Sequence, residues 1–79
     1  MVAAYILLKT SSGHDKTIWD GINEIPGVME SSWIYGEFDM IIKVEVASLD
    51  KLDEFVFDEL RKIEGIKGST TLLVAKSKQ

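Results

Sequence analysis

The chain has 79 residues, 46% of them hydrophobic and 28% charged, and its 13 acids against 9 Lys and Arg leave a net charge of −4. That length holds one domain, 1–79, and such chains bury only about 60% of their unfolded surface, so association with further copies is a natural source of stability. The absence of cysteine excludes disulfides and thiolate metal sites, and the acid excess opposes a general nucleic-acid footprint.

Residues 2–9 are almost continuously apolar and rich in Val, Tyr, Ile and Leu, which predicts a strand buried on both faces. The stretch "MVAAYILL" is too short to cross a bilayer, and Lys9 follows at once, so the chain reads as soluble and cytoplasmic. "TSSG" breaks the pattern, and Ile18, Ile22 and Ile25 then recur at helical spacing over 14–25, with Trp19 flanking the stripe. Pro26-Gly27 stops that helix. Strands are predicted over 28–35 and 38–46, joined by a tight turn at Gly36, a residue able to take the positive φ of a hairpin.

Ser48 is a predicted N-cap, with Asp50 well placed in the first turn that follows. Leu49, Leu52, Val56, Leu60 and Ile63 mark one face of a second helix, which leaves Phe55 and Phe57 beside the stripe. The acids Asp50, Asp53, Glu54, Asp58 and Glu59 outweigh the bases of this segment and read as a solvated face. Gly65 ends the helix, and 66–75 forms a last strand before the polar tail "KSKQ".

The order βαββαβ has internal symmetry. "IPGVMES" at 25–31 resembles "IEGIKGS" at 63–69, each closing a helix and opening a strand. The expected fold is α+β and ferredoxin-like, with a four-stranded antiparallel sheet and both helices on one face. The uncovered face should then be polar, yet Tyr5 and Leu7 oppose Ala4, Ile6 and Leu8, and Leu72 opposes Leu73. An exposed apolar sheet of that extent predicts a homodimer packed sheet on sheet, of the dimeric α+β-barrel type.

No catalytic site is legible. His14 is the single histidine and stands at a helix start without a partner group, and the serines lack a nucleophile signature. No metal or cofactor site is expected. RNA-recognition domains share the element order but carry stacking aromatics on the third strand, where this chain has "DMIIKVEV". Trp33 and Tyr35 lead into the turn and suit either a pocket wall or the core. Asp39 suits either the turn's own amides or a cationic ligand.

"YGEFDMIIKV", followed by a helix, "IEGI" and "STTLLV", resembles the effector domain of the Lrp/AsnC, or feast/famine, transcriptional regulators over essentially the whole chain. The resemblance implies sheet-on-sheet dimers that assemble into octamers or decamers, with a free amino acid bound between neighbouring dimers. Gly36 and Asp39 match the family's hairpin glycine and aspartate, which meet the ligand's carboxylate and ammonium. Tyr35 and Phe38 flank them, and Thr70, Thr71 and Leu72 match a last-strand segment lining the same site. Typical regulators carry an N-terminal helix-turn-helix, whereas here the effector domain begins at Met1. The chain therefore resembles a stand-alone version, without direct DNA binding, that co-assembles with full-length Lrp/AsnC regulators. Two other readings fit the topology: a small dimeric α+β-barrel enzyme of the monooxygenase type, and a purely structural assembly module.

Overall fold

The computed structural model describes residues 1–78. Its elements are β1 (Val2–Thr10), α1 (Asp15–Glu24), β2 (Val28–Trp33), β3 (Met40–Val46), α2 (Leu49–Glu54) and β4 (Ile66–Leu73). After α2 the chain continues through a π-helical turn (Phe55–Glu59) and closes in a 3-10 turn (Leu60–Lys62), the three segments forming one second helix. The strands make one antiparallel sheet in the order β2-β3-β1-β4, the ferredoxin-like arrangement.

Alternation along the central strands sorts the side chains. Ala4, Ile6 and Leu8 of β1 pair with Val44, Ile42 and Met40 of β3, and all six are buried beneath the helices. Ile18 and Ile22 from α1 close this core on one side, and Leu52, Phe55 and Leu60 from the second helix close it on the other. Each such side chain contributes roughly 1.5–3 kcal/mol through removal from water. The Ser48 hydroxyl accepts the Lys51 amide at 3.2 Å and caps α2 as its sequence position predicts.

The second helix departs from a regular α stripe. At its π turn the Leu60 amide reaches back five residues to the Phe55 carbonyl, so Phe55 and Leu60 share the inward face, at 3% and 2% exposure. Phe55 is therefore a core residue and not an edge one, and Val56 is only partly buried.

The opposite sheet face carries Tyr5 and Leu7 opposite Lys43 and Ile41 on β3, and opposite Leu72 and Thr70 on β4. Tyr5 is 37% exposed and Leu72 49%. The face is apolar near β1 but crossed by the pair Glu30 and Lys43, and the Lys43 ammonium lies 5.8 Å from the Tyr5 ring centroid.

The two isoleucine-x-glycine junctions repeat in three dimensions. Ile25 and Ile63 leave their helices in extended geometry, and Gly27 and Gly65 follow with φ of +100° and +103°. At Gly65 a Cβ would also stand 2.5 Å from that of His14, so glycine is required there for both conformation and space.

Candidate functional site

The connection between β2 and β3 differs from the expected tight turn. β2 ends at Trp33 and β3 begins at Met40, leaving a six-residue loop, 34–39, in place of strands meeting at Gly36. The loop is closed by the Ile34 amide donating to the Asp39 carbonyl at 2.9 Å. Gly36 sits in it at φ +129° with no atom within 4 Å of a would-be Cβ, so within one chain glycine is needed there for backbone conformation and not for space. The last strand is likewise shorter than expected and ends at Leu73.

Asp39 does not bond the loop's amides through its side chain. Its Oδ2 accepts the Thr10 amide at 2.8 Å and, more weakly, the Thr10 hydroxyl at 3.3 Å. Its own amide donates to the Leu8 carbonyl at 2.9 Å. Asp39 thus ties the end of β1 to the start of β3, across 29 residues of chain. The β1–β3 ladder ends at the pair Leu8 and Met40, so the Thr10 amide lies beyond it and is left to bond the carboxylate.

Around this acid opens a cleft of about 510 Å³, a size suited to a small ligand. Thr10, Ser11, Ser12 and Gly13 form one wall with Asp15, and Trp33, Ile34, Tyr35 and Asp39 form the other. No lysine, arginine or histidine lines it. Its polar groups are two carboxylates, three hydroxyls and the phenol of Tyr35, a set that accepts a cation. Asp39 is half-buried, and among the described residues no donor bonds its second carboxylate oxygen. Trp33 stacks on Trp19 of α1 with centroids 6.2 Å apart, which steadies the aromatic wall. Trp33 and Tyr35, both within the strand expected over 28–35, line the cleft, but Tyr35 lies beyond the end of β2 and is fully exposed.

The other expected residues are dispersed. Phe38 is half-buried beneath the Lys9 ammonium, which lies 5.7 Å from its ring centroid. Thr70 and Leu72 pair with Leu7 and Tyr5 on the uncovered face. Thr71 pairs with Ile6 on the covered face and lines a separate cleft beside the second helix, which shares no residue with the first. One chain therefore gathers Tyr35, Gly36, Phe38 and Asp39 at the loop but does not bring Thr70, Thr71 or Leu72 to them. Reasoning from sequence missed Thr10, because its bond to Asp39 exists only once β1 and β3 have paired.

The Lys16 ammonium on α1 is held above the usual lysine range by its hydrogen bond to Asp20 and by that residue's charge, and neither residue lines the cleft. Among the described residues no group of three or more acids or histidines could hold a metal, and no helix is long and apolar enough to cross a membrane.

A family model described as the Lrp/AsnC ligand binding domain matches residues 3–79. Among curated proteins the chain is 28% identical over 75 residues to the HTH-type transcriptional regulator FL11 of Pyrococcus furiosus, covering 95% of this chain and 49% of that one. The curated regulators it matches are about twice its length. A homocitrate synthase of Sulfurisphaera tokodaii also matches, at 29% identity over 95% of this chain but 16% of its own. Among solved structures, hypothetical protein PHS023 of Pyrococcus horikoshii is 34% identical with a TM-score of 0.87, covering 98% of this chain and 93% of that one. The transcriptional regulator NMB0573 of Neisseria meningitidis, solved with L-Met, superposes with a TM-score of 0.91 at 19% identity, over 99% of this chain and 52% of that one.

Proposed function

The chain belongs to the Lrp/AsnC ligand-binding domain family, and from that membership we propose that it binds a free amino acid in the hairpin cleft and converts binding into a change of assembly. The observation that carries this reading is Asp39. It is a half-buried acid held in place by neutral donors from Thr10, in a cleft with no cationic side chain to neutralise it. An amino acid's ammonium supplies that charge through a charge-assisted hydrogen bond, and Tyr35 and the wall hydroxyls meet the rest of the ligand. The L-Met bound to the regulator from Neisseria supports the ligand class.

Two copies pack through the uncovered sheet face, where Leu7, Ile41 and Leu72 find apolar partners beside the cross-strand neighbours Lys43 and Glu30. Dimers join into an octamer or decamer, and a neighbouring copy brings Thr70, Thr71 or Leu72 toward the hairpin that one chain leaves without them. A ligand at such a seam biases the assembly by its differential affinity for the assembled state. In this reading the protein is a non-enzymatic module that modulates transcription by co-assembly with full-length regulators. The transcriptional regulators among its relatives favour that over catalysis.

A thermal-shift screen against the twenty amino acids, with mass followed by light scattering, tests the reading. At least one amino acid raises the melting temperature, and Asp39→Asn abolishes the rise. Asparagine keeps a carbonyl for the Thr10 amide, so the fold survives while the charge is lost. If no amino acid moves the transition, the purely structural reading stands instead. A monomer at micromolar concentration removes the argument from the uncovered face.

A further inference from the structure

The cleft that contains Thr71 is the chemical converse of the hairpin cleft. It measures about 470 Å³, and its charged side chains are Arg61 from the second helix and Lys67 from β4, with no aspartate or glutamate lining it. Among the described residues neither cation takes part in an ion pair, in a chain whose net charge is −4.

Its shape has two causes. Ser69 and Thr71 occupy covered-face positions of β4, opposite Leu8 and Ile6. Small hydroxyl residues there leave a gap where large apolar ones would have met the helix. The π turn also spends an extra residue, turning Phe55 and Leu60 inward and leaving Phe57 and Arg61 at the mouth. Phe57 and Arg61 are four apart, and the guanidinium lies 4.9 Å from the Phe57 ring centroid. That stacking holds the planar fork in place without consuming its donors. Val56, Leu60 and Ile66 supply an apolar wall beside it.

We propose that this cleft is a second binding site, for a small monocarboxylate bearing a short aliphatic group and no ammonium. The Arg61 fork takes the carboxylate in a bidentate pair and Lys67 adds a second charge. Ser69 and Thr71 donate from the floor, and the hydrocarbon lies against Val56 and Ile66. A zwitterionic amino acid is disfavoured because its ammonium meets two cations and no acid. The inference stands on this cleft alone and does not require the hairpin to bind anything.

The test is a titration of the labelled full chain with 3-methylbutanoate, followed by amide NMR and calorimetry, with 3-methylbutanamide, leucine and inorganic phosphate in parallel. The carboxylate shifts the amides of 67–71 saturably, and Arg61→Gln weakens it by about tenfold or more, as expected for loss of a charge-assisted pair. Lys67→Gln weakens it less. Binding of the neutral amide with equal affinity, or an unaltered affinity in both Arg61→Gln and Lys67→Gln, overturns the proposal. So do equal binding of phosphate, which gives the apolar wall no role, and shifts confined to the hairpin loop. A chain that binds 3-methylbutanoate but no amino acid leaves this proposal intact while removing the hairpin reading.

Discussion

The two halves of this fold begin from the same device and end in opposite surfaces. In each, an isoleucine leaves a helix in extended geometry and a glycine with φ near +100° opens the next strand. The first half keeps a regular helix over β2 and leads into an acidic cleft at the hairpin. The second half inserts a π turn, pairs it with small hydroxyl residues on β4, and leaves a basic cleft. Local turn chemistry is thus conserved between halves while helix register sets the charge and shape presented to a ligand. A repeat in sequence predicts the junctions and is silent about the sites.

The comparison can be broken most forcefully at the π turn. Phe55→Ala should cost about 3–5 kcal/mol in denaturant unfolding, and Val56→Ala clearly less, because only Phe55 is fully inside. A cost at Phe55 no larger than at Val56 would remove the π register. Next come the glycines. Gly65→Ala combines a positive φ with a collision against His14 and should cost roughly 2–4 kcal/mol. Gly36→Ala has the same kind of backbone strain in open space and should cost about 1 kcal/mol. A Gly36 variant as damaged as the Gly65 one would mean the hairpin is packed against something in solution, such as a second copy. A comparable effect is expected at Ser48→Ala, which loses the cap of α2 and about 1 kcal/mol. Because α1 has no side-chain cap at His14, the matching His14→Ala change should leave helix stability nearly untouched.

Much of the architecture was legible because it depends on local periodicity. Ile18 and Ile22 at helical spacing, alternation through Ile6, Leu8, Ile42 and Val44, and breaks at Gly27 and Gly65 suffice for the element order and the ferredoxin-like sheet. The errors were of register and reach. Tyr35 and Phe38 have strand-forming side chains, yet both fall in the loop, because β2–β3 pairing closes with the bond from the Ile34 amide to the Asp39 carbonyl and Gly36 turns the chain beyond it. A 3.6-residue period puts Phe55 beside the helix stripe, but the helix widens there and Phe55 shares the inward face with Leu60. The acid at position 39 was legible as unusual, and its partner was not.

What the amino-acid order determined by itself is the list of elements and the covered face of the sheet. These follow from the period of apolar residues, the caps and the glycines, all read within a few neighbours. Tertiary structure decided where the chemistry lies. Thr10 meets Asp39 only through strand pairing, and Arg61 meets Lys67 only across a helix–strand gap. Thr71 joins the second of these groups and not the first. A carboxylate's meaning depends on what stands within a few ångströms of it, because charge-assisted contacts are short-ranged and directional.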